Sequence, residues 1–193
     1  LYTVGRRGVA GTVLVHKVAG AAAEMGLDLK GVKEAAQDAV NATKSIGFAL
    51  SSCTVPAKGE PTFEISDGEM EYGVGIHGEP GIKREVAVSC DEIAGRMTED
   101  LLASLEIDKD TEQELAVLVN GFGGTPLQEL YVLANAVRKK LASCPNIQVY
   151  RSFVGNYMTS IDMMGASLTF MKLNDTLEKY LDYPSMAPGF RVD

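Results

Sequence analysis

Hydrophobic and polar residues follow one another at the start of the chain in patterns that predict two helices. Gly11 to Met25 is apolar or small on most faces, as in a well-buried helix, and Gly26 is suited to end it. Leu29 to Ile46 carries apolar residues at helical spacing with a polar opposite face, and Gly47 follows it. The chain is therefore predicted to begin with a pair of helices.

The next stretch has the pattern of β-strands. Phe48 to Val55 is predicted as a strand that runs into Pro56, and Ala57 to Ser66 as a loop or a short edge hairpin. A second strand, in which glycine alternates with apolar residues, leads to His77. Two strands are therefore expected after the helical pair.

Helices and strands alternate through the rest of the chain. Ser89 and Glu92 form a capping box before an amphipathic helix over Ile93 to Leu105. Leu115 to Asn120 is a continuous apolar run, which is typical of a strand buried on both faces. The remaining predicted elements are a helix with Thr125 as N-cap and Pro126 in its first turn that ends near Ala142, strands at Ile147–Val154 and Ala166–Leu173, a short helix capped by Asn174 or Asp175, and an exposed tail over Pro184–Asp193. This order predicts an α/β layered domain with a mixed β-sheet flanked by helices.

Composition and charge exclude several functional classes. A length of 193 residues suits one domain, and 46% hydrophobic residues suit a globular chain with a core. The net charge is -8 and the basic residues are scattered, so neither nucleic acid nor a membrane is an expected partner. No apolar run is long enough to span a bilayer, and no signal peptide is expected. Cys53, Cys90 and Cys144 match no zinc or CxxC pattern, which favours reduced thiols in the cytoplasm.

His77 is the candidate functional residue, because it lies between the second predicted strand and a Gly/Pro loop at Gly78 to Gly81. Loops on a rigid scaffold commonly carry function, although a histidine that serves packing is the alternative. A neutral imidazole nitrogen can add to a ketone carbon and form a hemiaminal. Gly75 and Gly78 would leave room for a three-carbon ketone, and Glu79 is a candidate to orient the second ring nitrogen.

Two glycine-flanked segments could hold an anion, and each has a structural alternative. Gly121 to Thr125 would offer backbone N–H groups at a strand-to-helix turn, but it lacks the spacing of a P-loop or a dinucleotide fold. A tight turn that packs a helix against a sheet is the other interpretation. Arg6 and Arg7 could bind an anion or form a structural ion pair. His16 is expected on a helix face or in the core.

Metal and hydrolase chemistry find little support in the sequence. Glu69, Glu71 and Glu79 flank His77 but match no metal signature, and two histidines are too few for a His-rich site. No serine lies in a GxSxG elbow. A phosphohistidine carrier, with His77 phosphorylated on an exposed loop, is a further alternative that predicts phosphate incorporation without any ketone.

The segment around His77 also carries a family resemblance. Glu69 to Ile82 (EMEYGVGIHGEPGI) resembles the substrate-histidine segment of dihydroxyacetone kinase K subunits. Four further blocks agree in order, namely YTVGRRGVAGTVLVHK (Tyr2–Lys17), CTVPAKGEPTFE (Cys53–Glu64), VLVNGFGGTPLQELY (Val117–Tyr131) and VGNYMTSIDMMGASLTFMKL (Val154–Leu173). The resemblance spans nearly the whole chain, and several long ungapped blocks are more specific than any short motif.

This resemblance implies an activity and its partners. The family histidine, His77 here, holds dihydroxyacetone covalently through its carbonyl, which selects ketones and aldehydes over glycerol. The nucleotide of the family lies on a helical domain or on a separate L subunit. Since no such segment follows Leu173, a nucleotide-binding L subunit is expected as a partner. That subunit would hold Mg with ATP or ADP, and no cofactor or metal is expected in this chain. The phosphoryl source is either ATP itself or a phosphohistidine protein that recharges the nucleotide.

The resemblance also implies a larger assembly. Family members carry an N-terminal α/β domain with a second histidine and an acid/base aspartate, and this chain starts at Leu1 inside a block that looks internal. It is therefore expected to be the C-terminal substrate-binding part, with a domain over residues 1–183 and a tail over 184–193, paired with its own N-terminal domain in a cytoplasmic homodimer. Alone, it should trap the ketone but phosphorylate poorly. The alternative is a regulatory paralogue that binds dihydroxyacetone without catalysis.

Overall fold

In the computed structural model, which describes residues 9–76, 81–108 and 110–193, a six-stranded mixed sheet separates two layers of helices. The helices are α1 (Gly11–Glu24), α2 (Leu29–Ala42), α3 (Cys90–Ser104), α4 (Leu127–Ala142) and α5 (Asp175–Asp182). The strands are β1 (Thr43–Ala49), β2 (Glu69–Tyr72), β3 (Lys83–Val86), β4 (Gln113–Gly121), β5 (Ile147–Gly155) and β6 (Gly165–Lys172), with β7 (Ser185–Ala187) and β8 (Phe190–Val192) in a separate hairpin. The predicted α/β layered class is confirmed.

The strand order of the sheet is β3-β2-β1-β6-β4-β5. β4 and β5 pair in parallel, and each other neighbouring pair in this sheet is antiparallel. As predicted from its apolar run, β4 is buried on both faces. Leu115, Val117 and Val119 face the cluster under α3 and α4, whereas Ala116 and Leu118 face the cluster under α1, α2 and α5.

The junction between α2 and β1 differs from the prediction. The helix ends at Ala42 instead of Ile46, and the strand covers Thr43–Ala49 instead of Phe48 to Val55. The physical reason is long-range pairing, because this whole segment lies opposite Gly165 to Met171 of β6. Gly47 therefore lies inside a strand and does not end a helix.

The predicted caps of α3 and α5 are confirmed. Ser89 caps α3, its side chain accepting a hydrogen bond from the Glu92 N–H at 3.2 Å. Asn174 caps α5 and accepts from the N–H groups of Thr176 and Leu177. The edge strand β3 was not predicted, because its KREV sequence is polar and mostly exposed. Among the described residues, no helix is long and apolar enough to cross a membrane.

The segment Pro184 to Asp193, expected as an exposed tail, instead contains the β7–β8 hairpin. Val192 is only 3% exposed, and the ring of Phe190 lies 4.8 Å from the ring of Phe153 between centroids. The two apolar side chains explain the difference, because leaving them in water would cost free energy. The division of the chain into domains at residue 183 stays a prediction.

Candidate functional site

The candidate site is the connection between β2 and β3, which pair antiparallel with Tyr72 opposite Lys83. His77, predicted as the catalytic and substrate-binding residue, belongs to this connection. It lies outside the described residues, together with Gly78, Glu79 and Pro80. The described residues before and after them show how the connection is fixed to the sheet.

The strand that was predicted to reach His77 ends earlier, at Tyr72. Gly73 has a φ of +79°, a left-handed conformation that favours glycine, and its N–H donates to the Gly47 carbonyl at 2.7 Å. A Cβ on Gly73 would lie only 2.6 Å from Cγ1 of Ile82. The chain therefore turns out of the sheet at this glycine, so the predicted strand is present as β2 but its continuation over residues 73–76 is wrong.

Val74 and Ile76 bury their side chains although they lie outside a strand. They are 0% and 8% exposed and belong to a small cluster at one end of the sheet. This sheet-end cluster consists of Ala49, Cys53, Val74, Ile76, Phe122 and Met163. Gly47 makes the packing possible, because a Cβ there would lie 2.8 Å from the Phe122 ring and 2.9 Å from the Val74 carbonyl. The alternation of apolar residues before His77 thus reflects burial in this cluster.

A buried carboxylate fixes the other end of the connection. Glu71 is 5% exposed; its Oε1 accepts a hydrogen bond from the Gly81 N–H at 2.9 Å, and its Oε2 accepts from Arg84 Nε at 3.0 Å. Next to this pair, the Ile82 N–H donates to the Tyr72 carbonyl at 2.7 Å. We call Glu71, Gly81 and Arg84 the Glu71 anchor. Sequence reasoning named Glu71 only as one of several carboxylates near His77.

The loops around the sheet-end cluster are joined by polar side chains. The Asp162 carboxylate accepts from the Thr54 N–H at 2.9 Å, and the Ser51 hydroxyl accepts from the Met164 N–H at 2.8 Å. Asn120, at the end of β4, is fully buried and hydrogen-bonded to the loop after β5. Sequence analysis did not single out Asn120, although a polar residue that ends a buried apolar run is a recognisable signal.

β2 is also fixed to helix α3. The Tyr72 hydroxyl donates to Asp100 Oδ2 at 2.7 Å, and the guanidinium of Arg96 lies 5.4 Å from the Tyr72 ring centroid. Burial raises the pKa of Tyr72 well above its usual value, and the hydrogen bond to Asp100 acts in the same direction. The phenol is therefore a neutral donor at physiological pH, and it holds the strand that leads into the connection.

The Gly121 to Thr125 turn packs against a neighbouring loop. The Gly124 N–H donates to the Met163 carbonyl at 2.9 Å, and a Cβ on Gly123 would lie 2.8 Å from the Ile161 carbonyl. The Thr125 hydroxyl bonds to both the N–H and the carbonyl of Gly165 at 2.8 Å, so the prediction that Thr125 caps α4 is wrong and Pro126 occupies that position. These contacts favour the packing interpretation over an anion site.

The other candidate residues lie away from this connection. His16 is exposed on α1, as the helix-face interpretation expected, and Arg6 and Arg7 fall outside the described residues. The three cysteines are free thiols. The part of the chain that the structure describes contains no group of three His, Cys, Asp or Glu side chains arranged to hold a metal ion. That the chain binds no metal or cofactor stays a prediction.

Comparison with protein-family models matches residues 1–189 to the Dak1 domain. The chain belongs to the Dak1 domain family. This Dak1 domain is 48% identical over 181 residues to the dihydroxyacetone-binding subunit DhaK of the PTS-dependent dihydroxyacetone kinase 1 of Listeria innocua. The match covers 94% of this chain and 54% of the relative. The resemblance to K subunits is thereby confirmed, and the chain spans about half the length of the curated relatives that it matches.

Two solved structures extend the comparison. The Dak1 domain superposes with a TM-score of 0.85 on the dihydroxyacetone kinase operon co-activator Dha-DhaQ, at 35% identity, covering 92% of this chain and 55% of that one. It superposes with a TM-score of 0.73 on the dihydroxyacetone kinase of C. freundii, at 34% identity, covering 97% of this chain and 35% of that one. A kinase and a co-activator therefore share this fold, and the fold alone does not distinguish them.

Proposed function

We propose that this Dak1 domain binds dihydroxyacetone for a dihydroxyacetone kinase, with His77 as the covalent anchor. The observation that supports the proposal most is the attachment of the connection that contains His77. Val74 and Ile76 are buried on the side of the connection that precedes His77, and Gly81, which the Glu71 anchor holds, lies on the side that follows it. A loop fixed on both sides is suited to present a reactive side chain in a defined direction.

The chemistry requires a neutral imidazole. One ring nitrogen uses its lone pair to form a bond to the carbonyl carbon of the ketone, while the C=O π bond opens. The oxygen takes up one proton and the ring gives up one, so the adduct contains all the atoms of the ketone. Glycerol has no carbonyl group and cannot form this bond, which gives the site its selectivity.

The phosphoryl group is proposed to come from a nucleotide held with Mg on a separate L subunit. The contribution of this chain is then positioning, because a ketone held covalently presents its hydroxyl group at a fixed place. The second histidine and the acid/base aspartate that the family resemblance implies would come from an N-terminal domain. ATP and a phosphohistidine protein are the two candidate phosphoryl sources.

The test of this proposal is an assay of phosphoryl transfer to dihydroxyacetone. It uses the natural polypeptide that contains this chain, mixed with an L subunit. We expect turnover of dihydroxyacetone and none of glycerol, and His77→Ala should lower kcat/KM at least about 100-fold because the substrate is no longer held in place. The matched control is His16→Ala, which changes the exposed histidine on α1 and should leave kcat/KM within about twofold. This chain without an N-terminal domain should transfer little phosphate, and undiminished turnover by His77→Ala would contradict the proposal.

A second candidate is a regulatory protein that binds dihydroxyacetone through His77 without phosphorylating it. The TM-score of 0.85 with the co-activator, against 0.73 with the C. freundii kinase, is the observation that favours it. The same assay separates the two candidates. A ketone adduct with no turnover in the presence of an L subunit would favour the regulator, and turnover would exclude it.

A further inference from the structure

We propose that Glu71 is the positioning residue for the ketone adduct, because it fixes the end of the connection that follows His77. The inference rests on the proposed function, since it assigns Glu71 a role through His77. Glu71 itself is given no contact with the substrate. Its role is to hold Gly81 at a defined place on the sheet.

The burial of Glu71 is the first argument. Its side chain is 6% exposed, and a buried carboxylate is unfavourable unless it is paired and hydrogen-bonded. An apolar side chain of similar size would fill the same space without that cost, and such replacements are often neutral or stabilising. An apolar side chain could not accept a hydrogen bond from the N–H of Gly81. The carboxylate thus performs a task that packing alone does not explain.

The two oxygens of Glu71 have separate tasks. Arg84 lies directly opposite Glu71 in the β2–β3 ladder, and its Nε donates to Oε2 at 3.0 Å. This charge-assisted bond orients the carboxylate relative to the strands. The second oxygen, Oε1, then accepts from Gly81 at 2.9 Å. The backbone of Gly81 is therefore fixed relative to the sheet by one side chain.

Gly81 lies close against the start of the connection. A Cβ at this residue would lie 2.3 Å from the Tyr72 carbonyl oxygen and 3.1 Å from the Val74 nitrogen, so its backbone packs directly against the first residues of the connection. Three residues separate Gly81 from His77, and one of them is Pro80, whose ring restricts φ. A displacement of Gly81 is therefore expected to change the position of His77.

The opposite end of the connection is held differently. Val74 and Ile76 are fixed by apolar burial in the sheet-end cluster, which does not depend on Glu71. Loss of the Glu71 anchor should therefore loosen Gly81, next to which only the Ile82 N–H bond to the Tyr72 carbonyl remains, while the other end stays in place. We expect weaker adduct formation in a protein that remains folded.

The test compares three variants in the natural polypeptide that contains this chain, titrated with dihydroxyacetone and observed by native mass spectrometry. Glu71→Met removes the acceptor and keeps the volume, and should lower the association constant of the adduct about tenfold. Glu71→Gln keeps one carbonyl oxygen for Gly81 and places an NH2 group opposite Arg84, whose 44% exposed side chain can turn to solvent, so the constant should return to within about threefold of wild type. The control is Glu85→Gln, which removes a neighbouring carboxylate bound to Arg96 at 2.6 Å on α3 and should leave the constant unchanged.

Two further measurements separate positioning from folding. Hydrogen exchange of the Gly81 amide should accelerate in Glu71→Met and not in Glu85→Gln, whereas Tm reports any general loss of stability. If Glu71→Met does not fold, Arg84→Met is the decisive variant. The Arg84 side chain is 44% exposed, and its removal leaves the Glu71 carboxylate without its orienting partner. This variant should weaken the adduct about threefold.

The outcomes distinguish the two proposals. An adduct that is lost in His77→Ala but unchanged in Glu71→Met, or in Arg84→Met where the first variant does not fold, would overturn the positioning role and leave the proposed function intact. A wild-type protein that forms no adduct, or one that keeps its adduct in His77→Ala, would overturn the proposed function and the role of Glu71 with it. A tenfold loss in Glu71→Met with restoration in Glu71→Gln supports both.

Discussion

At the scale of single residues, Asn120 shows how one buried side chain can organise the loops beside the candidate site. Its amide nitrogen donates to the Met158 carbonyl at 2.8 Å and to the Ser167 hydroxyl at 3.2 Å. Its oxygen accepts from the N–H groups of Tyr157 and Met158 at 2.9 and 2.8 Å. Met158 in turn packs against the sheet-end cluster. A single amide thus joins β4, β6 and the loop after β5.

Asn120→Ala should lower the free energy of unfolding by about 2–4 kcal/mol, because it leaves buried backbone donors and an acceptor without partners. Urea denaturation of wild type and variant measures this difference. Asn135→Ala is the matched control, because Asn135 is exposed on α4 and its loss should cost no more than about 0.5 kcal/mol. Equal effects of the two substitutions would show that the Asn120 bonds contribute little.

The sequence was informative about residues whose role is local. Ser89, and Asn174 or Asp175, are predicted as caps from the local sequence, and the partners of Ser89 and Asn174 lie only two or three residues away. Glu71 and Asn120 could not be assigned in this way, since their partners are brought together by the sheet. The misplaced cap at Thr125 has the same cause, because its hydroxyl bonds to Gly165, which is distant in the sequence.

At the scale of elements, the strand boundaries near the site depend on pairing. The helix predicted over Leu29 to Ile46 and the strand predicted over Phe48 to Val55 divide the segment Thr43 to Ala49 between them, because the residues just before this segment have helical spacing. Pairing with β6 makes the whole segment a strand. The apolar alternation at Val74 and Ile76 was mistaken for a strand, since burial in an irregular segment can produce the same pattern.

The edge strand β3 is attached to α3 by a titratable group. Glu85 bonds to Arg96 and to Lys83, and the hydrogen bond from Lys83, together with the contacts to Arg96, holds the pKa of Glu85 below its usual 4.5. A carboxyl group whose pKa is lower in the folded protein than in the unfolded chain stabilises the folded state, and this stabilisation is fully present above the usual pKa. That contribution is lost as the pH falls below 4.5 and through the lowered value.

Glu85→Gln should therefore destabilise the protein at about pH 6 and have a smaller effect at about pH 3, where the wild-type carboxyl group is protonated as well. Urea unfolding of both proteins at the two pH values measures the change. Glu34→Gln serves as the control, because Glu34 is exposed in α2 and pairs only weakly with Lys30 at 3.7 Å. A Glu85→Gln effect that is the same at both pH values would contradict the assignment.

At the scale of the whole molecule, the layered α/β fold was accessible from sequence because its central elements carry strong local patterns. β4 is a continuous apolar run, and α3 and α4 have clear amphipathic spacing. The strand order and the β7–β8 hairpin were not accessible, because they depend on contacts between distant segments. The Dak1 fold positions the connection with His77 at one end of the sheet, but kinase and co-activator relatives share that fold.

The central claim is that His77 binds a ketone covalently, and native mass spectrometry of the natural polypeptide with dihydroxyacetone tests it most directly. We predict an added mass of one intact dihydroxyacetone in the wild type and in His16→Ala, and none in His77→Ala. A hemiaminal retains the elements of water, whereas a lysine Schiff base would lose them, so the added mass excludes a Schiff base. A non-covalent complex has the same mass as the hemiaminal, and the covalent bond is identified by an adduct that survives collisional activation sufficient to strip non-covalent ligands. An adduct that persists in His77→Ala, or phosphate on His77 without any ketone, would contradict the account.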